Sequence, residues 1–170
     1  MNIISKTGQT IIYAIGDDGF WQKGIDFPVP RFTDNLDGTV TDNLTGLIWL
    51  KNANRFGENN WYDAIQLCNN LKDDGVELTD GSIKGYWRLP NIKELLSLYH
   101  YGFVSPALPN TEGTGQWKEG DPFLNVVKTF YWSSTTHGKY TDRAFRVSFA
   151  HGGGFRPKNL RNRMFLWCVK

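Results

Sequence analysis

Two stretches of the chain repeat apolar positions with the period of a helix. The first covers 59–75, and its single apolar stripe consists of Trp61, Ala64, Ile65, Cys68 and Leu71. Asn60 can cap the first turn, and Gly75 lies near the predicted end. The pattern predicts an amphipathic helix with one buried face.

The second helical stretch covers 88–102 and carries its own start signal. Asn91 is a good N-cap, and Glu94, three residues later, completes a pattern like a capping box. Gly102 marks the predicted end. The predicted buried face consists of Ile92, Leu95, Leu96 and Tyr99.

Residues 1–30 have the pattern of an extended lead-in to a domain that spans 31–170. Within the lead-in, the β-branched run at 10–14 predicts a short strand, and "GDDG" at 16–19 predicts a turn. We therefore expect one folded domain preceded by a loosely structured segment.

The segment 31–51 has strand-forming runs separated by two turns, at 37–38 and 43–46, which predicts an antiparallel meander. Its stretch "FTDNLDGTVTDN" also resembles a calcium loop. Placing Gly38 at the sixth position of that loop puts Leu44 at the twelfth, where a bidentate glutamate is needed. We therefore expect a hairpin and no metal site.

The last part of the chain is predicted to form strands after a long irregular stretch at 103–128. Strands are expected at 129–136 and at 142–150, where apolar and polar residues alternate so that Phe145, Val147 and Phe149 face the core. The glycine-rich stretch at 151–157 turns the chain. Residues 163–170 are apolar on both faces, as in a central strand.

The composition indicates a single domain with an aromatic core. The 170 residues include 7 Trp, 11 Phe and 7 Tyr, and 18 Gly imply many turns. No apolar run is long enough to span a bilayer or to act as a secretory signal. The chain would therefore stay inside the cell, travel on a phage particle, or be a mature form that has lost its signal. Four tryptophans are predicted in the core: Trp49, Trp87, Trp132 and Trp167.

The net charge of +2 conceals an uneven distribution along the chain. Residues 1–138 carry 11 basic and 16 acidic side chains, whereas residues 139–170 carry 8 basic side chains and one acid, Asp142. This excess predicts an anionic partner for the C-terminal part. The alternative is a solvated basic face that the acidic part balances across the fold.

Sequence signals for catalysis are weak. "HGGG" at 151–154 matches part of an esterase motif, but no Gly-x-Ser-x-Gly elbow occurs in the chain. The three histidines, His100, His137 and His151, lack the spacing of zinc ligands, and the carboxylates fall in turns and on polar helix faces. We therefore expect no enzyme, no cofactor and no metal.

The two cysteines are one hundred positions apart, Cys68 on the stripe of the first helix and Cys168 in the last strand. Both are expected to face the core. They would either form a bridge that holds the end of the chain to the helix or remain as two buried free thiols in a reducing compartment.

Several long, ordered motifs resemble the Lcl C-terminal domain family, the C-terminal domain of bacterial collagen-like adhesins. They are "RFTDNLDGTVTDNLTGLIWLKNA", a Trp-x-x-Ala that leads to Cys68, "YWRLPNIKELLSLYHYG", "YWSSTT" and the terminal "WCVK". The resemblance implies an α+β protein of the C-type lectin-like fold, in which two helices flank a small irregular antiparallel sheet. It also implies a disulfide between Cys68 and Cys168. Family members often carry a further cysteine pair near the positions of Arg55 and Glu77, which this chain lacks.

Two activities of that superfamily do not carry over to this sequence. Calcium-dependent sugar binding needs Glu-Pro-Asn or Gln-Pro-Asp with Trp-Asn-Asp, and only "LPN" at 89–91 occurs here. The related formylglycine-generating enzymes need a pair of reactive cysteines near the C-terminus, where Cys168 stands alone. A role in recognition remains, because adhesin members of the family bind sulfated polysaccharides through a basic surface.

These observations predict a non-catalytic adhesion module, presented at the cell surface, in the periplasm or on a particle, that binds an anionic polysaccharide or a surface receptor. Arginine suits sulfate and carboxylate because its planar fork donates two parallel hydrogen bonds. A homo-oligomer is compatible with this interpretation, and nucleic acid is a weaker candidate because no nucleic-acid motif occurs. The predicted ligand-binding residues are Arg143, Arg146, His151, Phe155, Arg156, Lys158, Arg161 and Arg163.

One alternative also comes from the resemblance. C-type lectin-like domains serve as the variable proteins of diversity-generating retroelements, in which surface residues near the C-terminus are hypervariable. In that case the C-terminal arginines are one variant among the many sequences that diversification produces at these positions, and the ligand is a protein.

Overall fold

The computed structural model of the protein describes residues 4–150, 154–155 and 158–170. This part of the chain is α+β, with few helices and short antiparallel strands. The helices are α1 (Asp18–Trp21), α2 (Trp61–Asn70) and α3 (Ile92–Ser97). The strands are β1 (Phe32–Asp34), β2 (Thr39–Asp42), β3 (Ile48–Leu50), β4 (Phe130–Thr136), β5 (Arg143–Ser148), β6 (Gly154–Phe155) and β7 (Lys158–Asn159).

The strands form two sheets, and not the single sheet that the resemblance implies. The first has the order β1-β2-β3 and is the predicted meander. In the second, β5 pairs with β4 on one side and with β6 and β7 on the other. Both sheets are antiparallel.

The C-terminal segment joins the two sheets. Trp49 in β3 pairs with Val169, and Tyr131 in β4 pairs with Phe165, each through an isolated bridge. The backbone N–H of Leu50 also donates to the carbonyl of Cys168 at 3.1 Å. The predicted central strand therefore lies in the predicted place, but it changes partner along its length and does not form one continuous ladder.

The first hairpin has a longer loop than the predicted two-residue turn. Asn35 donates its backbone N–H to the carbonyl of Thr39 at 3.1 Å, so three residues lie between them. Two of these have positive φ, Leu36 at 62° and Gly38 at 86°. A Cβ on Gly38 would collide with the carbonyl of Glu77, so this close approach requires glycine.

The helices begin where their caps predict and end earlier than expected. The side chain of Asn60 accepts from the N–H of Asp63 at the start of α2, and Asn91 and Glu94 form a complete capping box at the start of α3. Helix α2 ends at Asn70. Four residues later, the carboxylate of Asp74 begins a turn by accepting hydrogen bonds from three backbone N–H groups, those of residues 76 to 78. Helix α3 stops at Ser97 and not near Gly102.

The lead-in differs from its predicted form, because no strand occurs at 10–14. The N–H of Tyr13 donates at 2.9 Å to the carboxylate of Asp17, which also caps α1 by accepting from Phe20 at 2.8 Å. The predicted turn at 16–19 is therefore the start of a short helix. The lead-in also contacts the domain, since Tyr101 donates its N–H to the carbonyl of Thr7 at 2.8 Å.

Strand β5 is buried differently from the predicted alternation. Val147 and Phe149 are buried as expected, but Ala144 and Ser148 are also buried and Phe145 is only half-buried. Strand β5 lies in the interior of its sheet and also contacts helix α3, so its burial does not follow the two-residue period of a strand with one solvated face.

The core is aromatic, as the composition predicts, and the disulfide lies within it. All four predicted tryptophans are completely buried, and the indole of Trp167 donates to the carbonyl of Leu50 at 2.7 Å. Cys68 and Cys168 are bonded, with their Cα atoms 5.4 Å apart and both side chains inaccessible. The disulfide expectation is confirmed, and the alternative of two free thiols is wrong.

Candidate functional site

Leu160 joins three separate parts of the chain at one surface. Its backbone N–H donates to the carbonyl of Asp142 at 2.9 Å, and its carbonyl accepts from the N–H of Trp61 at 3.0 Å. The Leu160 side chain is buried at 4 % exposure, which anchors the segment. The start of α2, the turn before β5 and the loop after β7 are therefore held in a fixed arrangement.

Asn159 organises the side chains at this junction. Its amide nitrogen donates to the carboxylate of Asp142 at 2.9 Å, and its amide oxygen accepts from the backbone N–H of Arg161 at 3.0 Å. Its backbone carbonyl accepts from the N–H of Asn162, also at 3.0 Å. Both ends of the Asn159 side chain are thus used, and the loop from 159 to 162 has a defined shape.

Two adjoining clefts share Asn159, and each has a volume of about 290 Å³. We call them the Arg143 cleft and the Arg161 cleft. The Arg143 cleft is lined by Arg143, Lys158, Asn159 and Asn162. The Arg161 cleft is lined by Tyr62, Asp142, Asn159, Leu160 and Arg161.

Three cations and one carboxylate define the electrostatics of these clefts. Arg143, Lys158 and Arg161 are exposed, whereas Asp142 is the single acid among the described residues that line either cleft. Asp142 lies 3.8 Å from the Nε of Arg143, and the two side chains are 62 % and 47 % exposed. Water screens such a pair strongly, so Arg143 remains able to bind another anion.

The other predicted ligand-binding residues lie elsewhere or outside the described residues. Arg163 is exposed and donates to the backbone carbonyl of Glu58. His151 and Arg156 lie outside the described residues, as does the side chain of Phe155, whose backbone belongs to β6.

Arg146 has a packing role that its position in the sequence did not reveal. Its guanidinium carbon lies 3.5 Å from the centre of the Phe130 ring, and its Nη1 lies 3.5 Å from the sulfur of Met164. The Nε is buried without a hydrogen-bond partner among the described residues, and burial lowers the pKa of the side chain. Arg146 therefore directs its charge onto an aromatic face and not toward the clefts.

Residues 38–170 match the family model of the Lcl C-terminal domain. This match covers more than half of the chain. The chain belongs to the Lcl C-terminal domain family. A search of curated proteins finds no match. The resemblance of the sequence motifs to this family is thereby confirmed.

The disulfide of this Lcl C-terminal domain bears on its location. A bridge that is buried in the core is typical of proteins that fold in an oxidising environment, which fits an extracellular or periplasmic location. Among the described residues, no helix is long and apolar enough to cross a membrane. Nor does any group of three or more His, Cys, Asp or Glu in the described ranges have the arrangement of a metal site.

A larger cleft, of about 440 Å³, lies beside the first hairpin of the Lcl C-terminal domain. Arg55 lies in it 3.4 Å from the carboxylate of Glu77 and also pairs with Asp74. Lys51, which also lines this cleft, pairs with Asp34 at 2.6 Å. Because its cations are already paired, this cleft is less suited to an anion than the two Asn159 clefts.

Sequence reasoning missed the neutral residues of the site. Tyr62 carried a usable signal, because it is a large aromatic residue next to, but outside, the apolar stripe of α2 and is 58 % exposed. Asn159 carried no such signal. Its role depends on Asp142, seventeen positions away, and this proximity arises only when β7 pairs with β5.

Proposed function

We propose that this protein is a non-catalytic binding module with a C-type lectin-like fold, and that it binds an anionic polysaccharide through the two clefts around Asn159. The observation that carries the proposal is the convergence of Arg143, Lys158 and Arg161 on adjoining clefts whose described lining contains one carboxylate. These cations come from β5, β7 and the following loop, so the fold and not sequence proximity alone brings them together.

The chemistry of the three side chains suits sulfate and carboxylate groups. A guanidinium donates two parallel hydrogen bonds to such an anion, and an ammonium contributes a compact charge. All three side chains are exposed, so a polymer can reach them without a change in the fold. A repeating polyanion would contact both clefts at once, because they share Asn159.

Membership of the Lcl C-terminal domain family supports an adhesin-like role. The C-type lectin-like assignment is supported by the pairing of the C-terminal segment with both sheets and by the disulfide that joins α2 to that segment. The same disulfide supports presentation outside the cytoplasm.

Heparin binding at two salt concentrations tests the proposal. We expect wild-type protein to bind heparin more weakly as salt rises, because screening shortens to about 8 Å near physiological ionic strength. The double variant Arg143→Ala, Arg161→Ala is expected to weaken binding by about tenfold or more at low salt, since a charge-assisted hydrogen bond contributes roughly 1.5–3 kcal/mol.

The matched control is Lys84→Ala, Lys118→Ala, which removes two exposed positive charges outside both clefts. This variant should bind as wild type does. Equal affinity for wild type and the cleft double variant at both salt concentrations would show that the basic surface is only a solvated face, and the proposal would be wrong.

A further inference from the structure

Tyr62 forms an exposed aromatic wall of the Arg161 cleft. It is 58 % exposed, and Trp61 contacts it edge-on with ring centroids 5.5 Å apart. Trp61 is itself fixed, because its indole N–H donates to the carbonyl of Ser133 at 2.8 Å. The fold therefore holds Tyr62 from one side and leaves much of its ring open to solvent.

The distance from Tyr62 to the charged groups of the cleft is set by the backbone. The backbone N–H of Trp61 donates a hydrogen bond to the carbonyl of Leu160. Trp61 precedes Tyr62 in the chain, and Leu160 precedes Arg161. The backbone N–H of Leu160 donates in turn to the carbonyl of Asp142, and the side-chain amide of Asn159 donates to the Asp142 carboxylate. The backbone positions that carry the aromatic ring, the guanidinium and the carboxylate are thus fixed relative to one another, and all three residues line one cleft.

These groups offer three different kinds of contact. The Tyr62 ring offers a flat apolar face, Arg161 offers a cationic fork, and Asp142 offers an acceptor that needs an O–H or N–H donor. A linear polyphosphate has neither a ring face nor a donor, and Asp142 would repel it. The backbone of single-stranded DNA also lacks donors, but its bases can stack and can donate N–H groups, so an oligonucleotide is the competing ligand in the test.

An acidic sugar ring meets all three requirements. It has an apolar C–H face, several hydroxyl donors and a carboxylate or sulfate. The cleft volume of about 290 Å³ lies at the lower end of small-ligand sites, which suits one ring better than a longer segment.

We propose that the Arg161 cleft is a subsite for a single acidic sugar ring. The ring lies against Tyr62, a ring hydroxyl donates to Asp142, and the acidic group of the sugar pairs with Arg161. This inference rests on the proposed function, and it adds that the module selects the sugar ring and not only negative charge.

Comparison of heparin with polyphosphate, which has charge but no ring, tests the subsite. Tyr62→Ala should weaken heparin binding by about tenfold, in the range that loss of one aromatic stacking contact gives for nucleic-acid bases, and should leave polyphosphate binding unchanged. Tyr62→Phe keeps the ring and should bind both polymers as wild type does. The matched control is Tyr86→Ala, which removes a ring that is 59 % exposed and lies outside both clefts.

Asp142→Asn gives an independent readout. Asparagine can still accept from Asn159, so the loop should keep its shape, and the repulsion of both polyanions is lost equally. Only heparin also loses a charge-assisted hydrogen bond, because its hydroxyl would then donate to a neutral amide oxygen instead of a carboxylate. We expect the ratio of heparin affinity to polyphosphate affinity to fall in this variant. An unchanged ratio would contradict the role of Asp142 as the acceptor of a sugar hydroxyl.

The outcomes separate the subsite from the proposed function. If Tyr62→Ala binds heparin as wild type does while the Arg143, Arg161 double variant loses binding, the polyanion surface stands and the sugar subsite is wrong. If single-stranded oligothymidine binds more tightly than heparin and loses affinity with Tyr62→Ala, the ring that stacks on Tyr62 is a base, and the subsite is again wrong. If neither heparin nor polyphosphate binds wild type, both proposals fail.

Discussion

The guanidinium of Arg31 lies against the carboxylate of Asp42 in the protein interior, where the two side chains are 1 % and 0 % exposed. Arg31 also donates to the carbonyl of Ser97 at 2.8 Å, at the end of α3, and Asp42 accepts from the N–H of Leu44 at 2.8 Å. Burial lowers the pKa of Arg31 to about 10, so the side chain remains charged at neutral pH. The pair thus connects the first sheet, the turn after β2 and α3.

Removal of one partner from this pair should destabilise the protein strongly. Asp42→Ala leaves a buried guanidinium without its counter-ion, and we expect a loss of about 3–5 kcal/mol in the free energy of unfolding. The matched control is Asp26→Ala, because Asp26 pairs with Lys6 at the surface and is 82 % exposed. Its expected effect is below about 1 kcal/mol. Urea denaturation measures the free energy of unfolding of both variants. Equal losses would contradict the central role of the buried pair.

His100 should make the stability depend on pH. It is 7 % exposed and stacks on Phe103 with ring centroids 4.0 Å apart. Burial, reinforced by the nearby charge of Arg31, lowers its pKa from 6.5 to about 4. Between these two values the unfolded chain binds a proton that the folded protein does not, so stability falls as the pH drops below 6.5.

Between pH 7 and pH 5, His100 is expected to lower the free energy of unfolding by an amount on the order of 2 kcal/mol. Urea denaturation at both pH values measures it, and His100→Gln, which cannot titrate, should show a loss smaller by that amount. Carboxylates contribute to the pH dependence of both proteins, so the comparison between them isolates the histidine. Identical pH dependence in wild type and His100→Gln would show that His100 does not titrate in this range.

Local signals in the sequence were sufficient for the helix starts and the meander. The capping box of Asn91 and Glu94 lies within one helical turn, and the stripe that contains Cys68 repeats every three or four residues, so both features can be seen without knowledge of the fold. The run at 10–14 did not form the predicted strand because β-branched residues form a strand only where a partner strand is available, and no described segment pairs with it.

The long-range features could not be predicted in the same way. Ser97 meets Arg31 from sixty-six positions away, and no periodicity marks that contact. Within the candidate site, the basic excess of the last residues pointed to Arg143, Lys158 and Arg161, but it could not distinguish them from Arg146, which packs on Phe130. Charge composition alone therefore cannot predict a binding surface, because the pairing of the strands determines which basic side chains lie on it.

The disulfide should account for a large share of the stability. Cys68 and Cys168 close a loop of one hundred positions, for which the chain-entropy model gives about 4–5 kcal/mol. We expect the free energy of unfolding of the double variant Cys68→Ala, Cys168→Ala, measured by urea denaturation, to be lower than that of wild type by an amount of that order. Reduced wild-type protein should show a similar loss. Mass analysis of the denatured protein before and after reduction verifies the bond. Two thiols that alkylate without reductant would contradict both the bond and the location outside the cytoplasm.

Variants of Arg146 and Arg161 should separate a cation that packs in the fold from a cation that binds the ligand. Its guanidinium covers Phe130 at 3.5 Å, and a cation–π contact contributes from about 0.5 to 2 kcal/mol, so Arg146→Ala should lower the melting temperature by roughly 2–6 °C. Heparin affinity should stay within about twofold of wild type, because the charge does not line either cleft. Arg161→Ala is the matched control and should give the reverse result, with lower affinity and unchanged melting temperature. If Arg146→Ala instead loses heparin binding while its melting temperature stays that of wild type, Arg146 belongs to the ligand surface and its stacking on Phe130 has little energetic weight.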